Sequence, residues 1–322
     1  SKQNAFAIRD AYLHDLISFN DDIQGTGAVA LAGILTAMKI KKERLRDQIF
    51  LIHGAGAGGI GIAEQIETVL REEGLSAEEA RSRILTLDSR GLIIEGPDLL
   101  PYKRKFAKDQ AWLTWLKDER DLQLDRVVAG AGVTVLVGTS GQAGCFTREI
   151  VQSMLRHTDR PVIMPLSNPT TMAEAVPADI FQWTEGRGLI GTGSPFPPVA
   201  HNGKMYRVGQ CNNVFVFPGV GLGVLASGAR EVLPEFFTAA ARAVAGCVAS
   251  ADLEVGCLLP EVTLLREVSL KVAQAVGETA ISLGVSRPCA FSSFQHNNDP
   301  ARLSELIRRM RWEPVYLPLV PM

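Results

Sequence analysis

Four glycines within six residues, Gly-Ala-Gly-Ala-Gly-Gly at positions 54–59, restrict the possible folds of this chain more than any other feature. They follow a continuous apolar segment at 49–52, which is typical of a parallel strand covered on both faces. A helical pattern of apolar residues begins at Ile60 and continues to about Glu72. The order of strand, glycine turn and helix predicts the first unit of an α/β fold.

The glycine spacing in this turn matches the Gly-x-Gly-x-x-Gly pattern of dinucleotide-binding folds. Gly54 permits the tight turn, Gly56 lets the backbone approach a pyrophosphate, and Gly59 allows close packing of the helix on the sheet. The helix N-terminus then offers unpaired N–H groups and a positive dipole end to the phosphates. The alternative is a turn that serves only for packing, but the flanking strand and helix favour a nicotinamide dinucleotide.

Further apolar runs alternate with helical patterns and end in clusters of Gly, Ser and Asn. This alternation predicts an α/β fold, a doubly wound parallel sheet of Rossmann type with flanking N- and C-terminal helices. We expect a helical lead-in with an acidic motif at 1–43, a Rossmann-type core at 44–225 and a helical C-terminal part at 226–322. The predicted strands cover residues 48–53, 84–88, 133–137, 161–166, 189–190 and 214–217.

A second glycine-rich stretch, Gly-Val-Gly-Leu-Gly at 219–223, resembles another dinucleotide turn at first inspection. No strand ending in an acidic residue follows it, as a dinucleotide site requires. We therefore interpret these glycines as positions where helices pack closely together.

The composition excludes several classes of function. The chain is 46% hydrophobic and 21% charged with a net charge of -2, so it lacks the basic surface of a nucleic-acid-binding protein. No stretch of about 18 apolar residues is free of charges and helix breakers, so we expect no membrane span. The five cysteines form no Cys-x-x-Cys pair, which favours buried thiols in the reducing cytoplasm over disulfides or structural zinc.

The second predicted strand ends at Asp88, where an acidic residue binds the ribose hydroxyls in dinucleotide-binding folds. Its separation from the glycine turn is longer than usual because a polar insertion, residues 73–83, lies between them. Ser89, Arg90 and Lys103 follow, and a cation beside the ribose accommodates the 2′-phosphate of NADP. These charges favour NADP over NAD; the alternative is a solvated run of surface charge.

Two adjacent carboxylates, Asp21 and Asp22, precede an apolar helix pattern that begins near Ile23. One explanation is N-capping, since aspartate accepts hydrogen bonds from the free N–H groups of a first helical turn. Capping needs only one carboxylate, however, and two adjacent ones repel each other. The other explanation is a site for Mg²⁺ or Mn²⁺, which prefer carboxylate oxygens as ligands.

The residues around these features resemble the malic enzymes, a family of oxidative malate decarboxylases. The resemblance begins at Phe-Asn-Asp-Asp-Ile-Gln-Gly-Thr, residues 19–26, and covers nearly the whole chain in the order of the family's motifs. Because several separate motifs agree, coincidence does not explain the match. The other matching segments are residues 54–63, 88–92, 138–141, 166–170, 193–196, 210–213 and 217–219.

The resemblance implies a role for each residue that matches a family motif. Asp22 corresponds to a metal-ligand aspartate, and Asp21 to a catalytic neighbour that assists proton transfer. Amide side chains suit a carboxylate substrate because they donate hydrogen bonds without adding charge, although a single asparagine also stabilises turns. The remaining implied residues are Asn168, Asn212 and the adjacent Asn213 at the substrate, and Ser194 at the cofactor.

The implied reaction converts (S)-malate to pyruvate and CO₂, reduces NAD or NADP, and depends on Mg²⁺ or Mn²⁺. The family also implies a homo-oligomer for the full-length protein. In the family a Glu-Asp pair with further metal ligands, and a catalytic domain, precede the stretch that matches Asn4-Ala5-Phe6. We therefore expect this chain to supply the cofactor-binding half of the site and to be inactive alone. The alternatives are a non-catalytic dinucleotide sensor and a dehydrogenase that neither decarboxylates nor needs Asp22.

Overall fold

The computed structural model describes residues 2–115, 122–287, 300–314 and 316, and its centre is a seven-stranded sheet. The strands are β1 (Phe50–His53), β2 (Ile84–Asp88), β3 (Gly91–Leu92), β4 (Val135–Gly138), β5 (Val162–Pro165), β6 (Leu189–Thr192), β7 (Val199–His201), β8 (Lys204–Tyr206) and β9 (Gly209–Gln210). The sheet order is β3-β2-β1-β4-β5-β6-β9, whereas β7 and β8 form a separate hairpin. All neighbours in the sheet are parallel except β2 and β3. The predicted doubly wound sheet is confirmed.

Helices cover both faces of this sheet and flank it at both ends of the chain. They are α1 (Lys2–Tyr12), α2 (Thr26–Lys41), α3 (Ala57–Glu72), α4 (Ala77–Ser82), α5 (Pro101–Arg104), α6 (Leu124–Ala131), α7 (Arg148–Met154), α8 (Pro177–Trp183), α9 (Phe217–Ser227), α10 (Pro234–Gly246), α11 (Ser250–Glu254), α12 (Leu265–Ser282) and α13 (Pro300–Met310). A π-helical turn, Asp21–Gly25, precedes α2. Short 3₁₀ turns lie at Leu45–Asp47, Gln110–Leu113, Thr170–Met172, Asn213–Phe215 and Val262–Leu264.

Residues along β1 alternate between two hydrophobic cores, because successive side chains of a strand point to opposite faces. Phe50 and Ile52 lie in the larger core, with residues of α2, α3, α9, α10 and α12. Leu51 lies in the smaller core, with residues of α6, α7 and α8. All three side chains are fully buried, which explains why this strand is an unbroken apolar run.

Helix α2 is apolar on nearly every side because it is enclosed by other elements. By length and composition alone, Asp21–Lys41 could cross a membrane, with a mean hydropathy of 1.4, but 72% of its most apolar part is buried in the protein. It packs against α3 and α10. This is the environment of a core helix.

The strand predicted at 214–217 is wrong. These residues belong to the 3₁₀ turn Asn213–Phe215 and to the start of α9. The side chain of Asn212 caps the turn, and Pro218 occupies the first turn of α9, where proline favours helix. Four apolar residues cannot by themselves distinguish helix from strand. The last strand of the sheet is instead β9, and the ends of the other predicted strands differ from those observed by at most two residues.

Two of the three glycines in the stretch 219–223 lie where another helix approaches closely, as predicted. A Cβ on Gly219 would lie 2.6 Å from the Val272 side chain, and one on Gly223 would lie 2.6 Å from the carbonyl oxygen of Ala273. Both neighbours belong to α12. The packing interpretation is therefore confirmed for Gly219 and Gly223, whereas a Cβ on Gly221 would meet nothing within 4 Å.

Four cysteines lie in the described part of the chain, and all four are free thiols. Cys211 and Cys257 are buried, as predicted, whereas Cys145 and Cys247 are only partly buried. Cys289 lies outside the described residues.

Candidate functional site

The glycine turn lies at the point where the strand order reverses, between β1 and β4. Gly54 has a φ of +121°, a conformation that favours glycine. A Cβ on Gly54 would lie 2.5 Å from the carbonyl carbon of Thr139, and one on Gly59 would lie 2.0 Å from the carbonyl oxygen of Gly54. Gly56 is the N-cap of α3, so the first N–H groups of that helix follow it directly. This is the geometry that the sequence predicts for a phosphate-binding turn.

Asp88 lies at the end of β2, beside the glycine turn, and two donors hold its carboxylate. Lys103 Nζ donates to Oδ2 at 2.7 Å, and the backbone N–H of Arg90 donates to Oδ1 at 2.9 Å. Burial acts to raise the pKa of Asp88, but these two hydrogen bonds and the charges of Lys103 and Arg90 together outweigh burial and hold the pKa below its ordinary value. The carboxylate is therefore ionised and fixed in orientation, as an acceptor for ribose hydroxyls needs to be.

The two cations predicted beside Asp88, Lys103 and Arg90, lie in different environments in the structure. Lys103 is 9% exposed and is paired with Asp88, whereas the side chain of Arg90 is 74% exposed and lies 4.0 Å from the same carboxylate. Ser89 is exposed. The Lys103 ammonium therefore points to an acidic partner within the protein. The contacts of these residues with a cofactor stay predictions.

A cavity of about 460 Å³ opens beside the ends of β1 and β2. Its lining includes Leu87, Asp88 and Gln142, and also His53 and Cys145, whose Nδ1 and Sγ atoms are 3.4 Å apart. Burial lowers the pKa of His53 and raises the pKa of Cys145 to about 11. Both groups are therefore mostly uncharged at pH 7. The cavity suits a flat, neutral group such as the adenine of a dinucleotide better than nucleophilic chemistry.

The π-helical turn Asp21–Gly25, called the acidic turn below, carries the two predicted carboxylates. Asn20 caps it, because the Asn20 Oδ1 accepts the N–H of Ile23 at 3.1 Å. N-capping by the aspartates is therefore wrong as an explanation for the pair. Asp22 is exposed and Asp21 is partly buried. The side chain of Asn20 thus makes the capping hydrogen bond, and neither aspartate is needed for it.

Asp21 is held by Asn213, a residue that the sequence places at the substrate. Asn213 Nδ2 donates to Oδ2 of Asp21 at 3.2 Å, to its carbonyl oxygen at 3.1 Å and to Thr26 Oγ1 at 3.1 Å. Burial raises the pKa of Asp21, and the charge of Asp22 adds to this, while the hydrogen bond from Asn213 opposes it. Asn213 therefore orients the acidic turn, and its contact with a substrate stays a prediction.

The acidic turn packs directly on the first turns of α3. A Cβ on Gly58 would lie 3.6 Å from the carbonyl oxygen of Asp22, and one on Gly61 would lie 2.1 Å from the carbonyl oxygen of Ile23. The second contact leaves no room for any side chain at position 61. Glycines at the start of α3 thus let the backbone of the acidic turn pack against the helix that begins at the phosphate-binding turn.

Asn168 and Asn212 follow β5 and β9, so they lie at the same edge of the sheet as the glycine turn. Ser194 Oγ donates to Oδ1 of Asn168. Oδ1 of Asn212 accepts the N–H of Val214 at 3.0 Å. Since both acceptor oxygens are engaged, the amide N–H groups are the atoms that each side chain can offer to a carboxylate. Ser194 contacts the substrate-side Asn168, and its role at the cofactor stays a prediction.

The acidic turn fits part of a site for a hard divalent cation. Oδ1 of Asp21 is buried and has no hydrogen-bond partner among the described residues. Asp22 adds exposed carboxylate oxygens of the kind that Mg²⁺ and Mn²⁺ prefer. In the part of the chain that the structure describes, no group of three His, Cys, Asp or Glu side chains could hold a metal. The pair therefore supplies only part of a coordination shell.

Sequence reasoning missed Glu174, a fully buried carboxylate close to these loops. Its hydrogen-bond partners are Ser140 and Ser167, which follow β4 and β5. Ser140 is 34 residues away in the chain, and no local pattern marks Glu174 as special. Only its position within a stretch that follows a matching family motif could have drawn attention to it.

The strand order, the glycine turn at the switch point and the acidic residue at the end of β2 define a dinucleotide-binding protein of Rossmann type. A family model described as "Malic enzyme, NAD binding domain" matches residues 23–281. The chain therefore belongs to the malic enzyme family.

Curated relatives agree with this assignment. The chain is 43% identical over 318 residues to an NAD-dependent malic enzyme of Sodalis glossinidius (strain morsitans), a match that covers 98% of this chain and 55% of the relative. It is 43% identical over 321 residues to NAD-dependent malic enzyme 3 of Bacillus subtilis (strain 168), with the same coverage. The chain thus spans about half the length of these relatives.

Solved structures show the same fold. The malic enzyme of Entamoeba histolytica superimposes with a TM-score of 0.73 at 21% identity, covering 96% of this chain and 57% of that one. The malic enzyme of Pyrococcus horikoshii Ot3 gives a TM-score of 0.70 at 24% identity, covering 94% and 63%.

Proposed function

We propose that the protein oxidatively decarboxylates (S)-malate to pyruvate and CO₂ with reduction of NAD, in a reaction that depends on Mg²⁺ or Mn²⁺. The observation that carries the proposal is the acidic turn, docked on the first turns of α3 through Gly58 and Gly61. This contact joins the turn that carries the two carboxylates to the helix whose N-terminus suits the cofactor phosphates. The names of the curated relatives support the same reaction class.

The cofactor proposed is NAD. Its pyrophosphate binds at the N-terminus of α3, its adenosine ribose binds Asp88, and its adenine enters the cavity lined by His53 and Gln142. The cationic cluster that favoured NADP is less available than the sequence indicates, because Lys103 is buried against Asp88. The relatives named above are also NAD-dependent.

The residues of this chain divide the chemistry between them. Asn168 and Asn212 bind a substrate carboxylate through their amide N–H groups. Asp22, with Asp21 beside it, would hold the divalent cation, which supplies Lewis-acid stabilisation of the developing carbonyl oxygen. Asp21 is suited to assist proton transfer beside this site, because burial raises its pKa.

Further ligands are needed to complete the coordination shell, because the acidic turn offers only two carboxylates and the described part of the chain contains no group of three suitable side chains. We therefore expect the isolated chain to bind NADH but to turn over malate poorly or not at all. We propose that the full-length protein carries the activity, and that it is a homo-oligomer located in the cytoplasm. Light scattering of the full-length protein tests the oligomeric state.

The metal assignment is tested by Asp22→Asn in the full-length protein. We expect malate-dependent NADH formation to fall by at least about 100-fold, a size typical of losing charge stabilisation at a reacting centre, while NADH binding stays within about twofold. Asp179→Asn is the matched control, an exposed aspartate at the start of α8. Unchanged dependence on Mn²⁺ in Asp22→Asn would contradict the assignment.

The two rival functions give different results in the same assay. A non-catalytic sensor binds NADH but forms none from malate at any metal concentration. A dehydrogenase that does not decarboxylate forms NADH and oxaloacetate without release of CO₂, and its rate does not respond to Asp22→Asn.

A further inference from the structure

Glu174 is a carboxylate with no solvent exposure, and four donors surround it. Oε1 accepts the backbone N–H of Ser140 at 2.8 Å, the Ser140 hydroxyl at 2.9 Å and the Ser167 hydroxyl at 2.5 Å. Oε2 accepts the backbone N–H of Ser167 at 3.3 Å. None of these donors is a cation. The buried charge is therefore satisfied entirely by two loops of the chain.

The two loops belong to different halves of the proposed site. Residues 139–142, called the cofactor loop, follow β4 and lie against Gly54 of the phosphate-binding turn. Residues 166–169, called the substrate loop, follow β5 and contain Asn168. Because Ser140 belongs to the first loop and Ser167 to the second, Glu174 is the point at which the two halves meet.

Other contacts fix the same junction. The N–H of Gly141 donates to Ser167 Oγ at 2.9 Å, so the loops also touch directly. The N–H of Phe146 donates to the carbonyl oxygen of Glu174 at 2.9 Å, which fixes the backbone that carries the carboxylate. A Cβ on Gly138 would lie 2.4 Å from Cδ of Glu174. The end of β4 therefore leaves room for this carboxylate only because residue 138 is glycine.

The charge state of the side chain matters for this geometry. Both oxygens face N–H or O–H donors, so a carboxylate matches the four donors. A glutamine of the same shape would turn its NH₂ group toward at least one donor, leaving that donor unpaired in a buried site. The arrangement is thus specific for a negative charge rather than for a side chain of this size.

We infer that Glu174 is a positioning residue that couples the cofactor loop to the substrate loop, so that each ligand binds more tightly when the other is present. The inference rests on the proposed function, because it takes the two ligands to be NAD and malate. A dinucleotide that orders the cofactor loop also orders Ser167 through Glu174, and so prepares Asn168 for the substrate. Because coupling between two binding sites is reciprocal, the substrate tightens the binding of the dinucleotide by the same factor.

The test measures NADH affinity by fluorescence titration of the full-length protein in Mg²⁺, with and without tartronate, a malate analogue that has a hydroxyl carbon between two carboxylates. In the wild type we expect tartronate to tighten NADH binding by on the order of tenfold. Glu174→Gln should abolish most of this tightening while changing the affinity for NADH alone by less. Ser140→Ala and Ser167→Ala, which each remove one hydroxyl donor, should each lose part of it and remain folded.

Thr238→Val is the matched control, because it removes another buried hydrogen bond, from Gln65 Nε2 to Thr238 Oγ1 at 2.6 Å, away from the two loops. It should lower the melting temperature and leave the tightening by tartronate unchanged. Wild-type tightening in Glu174→Gln and in both serine variants, or equal loss in Thr238→Val, would overturn the inference. So would a wild type that binds NADH without any effect of tartronate, whereas a wild type that binds no NADH would overturn the proposed function itself.

Discussion

At the scale of single residues, burial and local donors set the charge of the groups at the cofactor end. Two hydrogen bonds and the neighbouring positive charges keep Asp88 ionised despite its partial burial, and burial keeps His53 mostly neutral despite the charge of Glu174. Both groups line the same cavity. The cavity thus combines the fixed negative charge of Asp88 with the uncharged His53, and the carboxylates of Asp125 and Glu149 also line it.

The pH dependence of stability should reveal the buried state of His53. Burial lowers its pKa below the ordinary 6.5, so below that pH the unfolded chain takes up a proton that the folded protein resists. Stability should therefore fall as pH drops from about 6.5, by at most about 1.4 kcal/mol per pH unit. Urea unfolding at pH 7.5 and 5.5 measures this loss, which His53→Gln should reduce. An equal loss in both proteins would contradict the assignment.

Lys103 provides a second prediction at this scale. Removing its ammonium in Lys103→Ala lets the pKa of Asp88 rise and frees the carboxylate to move, so kcat/KM for NAD should fall by about fivefold, the effect of one hydrogen bond of about 1 kcal/mol. Lys105→Ala is the control, since Lys105 pairs with Glu67 and not with Asp88. A selective loss with NADP, and none with NAD, would show instead that Lys103 binds a 2′-phosphate.

Contacts between residues remote in sequence are what the sequence could not predict. Asn213 and Asp21 are 192 residues apart, yet they form one hydrogen-bonded unit. Glu174 was not selected at all, because its importance lies in Ser140 and Ser167 converging on it. Family motifs predicted many of the candidate site residues. The contacts between these residues depend on the tertiary structure, which the motifs do not give.

At the scale of elements, local signals predicted most of the fold. Strand β2 was predicted with its observed ends, and the turn after β1 was predicted from its glycines, because each signal lies within a few residues. The strand predicted at 214–217 was wrong because four apolar residues are too few to show a period that separates helix from strand. The packing of the acidic turn on α3 could not be predicted from local sequence either, because it joins residues 22 and 23 to residues 58 and 61.

That approach makes a prediction about Gly61. In Gly61→Ala the new Cβ would lie 2.1 Å from the carbonyl oxygen of Ile23, so α3 and the acidic turn must separate. We expect a loss of about 1–3 kcal/mol in the free energy of unfolding and a higher Mn²⁺ requirement for activity.

Gly221→Ala is the matched control for this substitution. It is also a helical glycine, but a Cβ there would meet nothing within 4 Å, so alanine should leave stability unchanged or raise it by up to about 1 kcal/mol. Equal behaviour of the two variants in chemical denaturation would argue against a role for close packing at position 61.

At the scale of the whole molecule, a single edge of the sheet collects the groups assigned to the proposed reaction. The phosphate-binding turn, Asp88, the cofactor loop, Asn168 and Asn212 all follow the carboxyl ends of strands. Helix packing on the larger core then brings the acidic turn to the same edge. The fold therefore explains how residues scattered from position 21 to position 213 lie together, as the proposed reaction requires.

The product balance of the full-length protein distinguishes oxidative decarboxylation of malate from the alternatives. With (S)-malate, NAD and Mn²⁺, we expect NADH, pyruvate and CO₂ to form in equal amounts, and omission of the metal to stop all three together. NADH formed with an equal amount of oxaloacetate and no CO₂, or no NADH under any of these conditions, would contradict it.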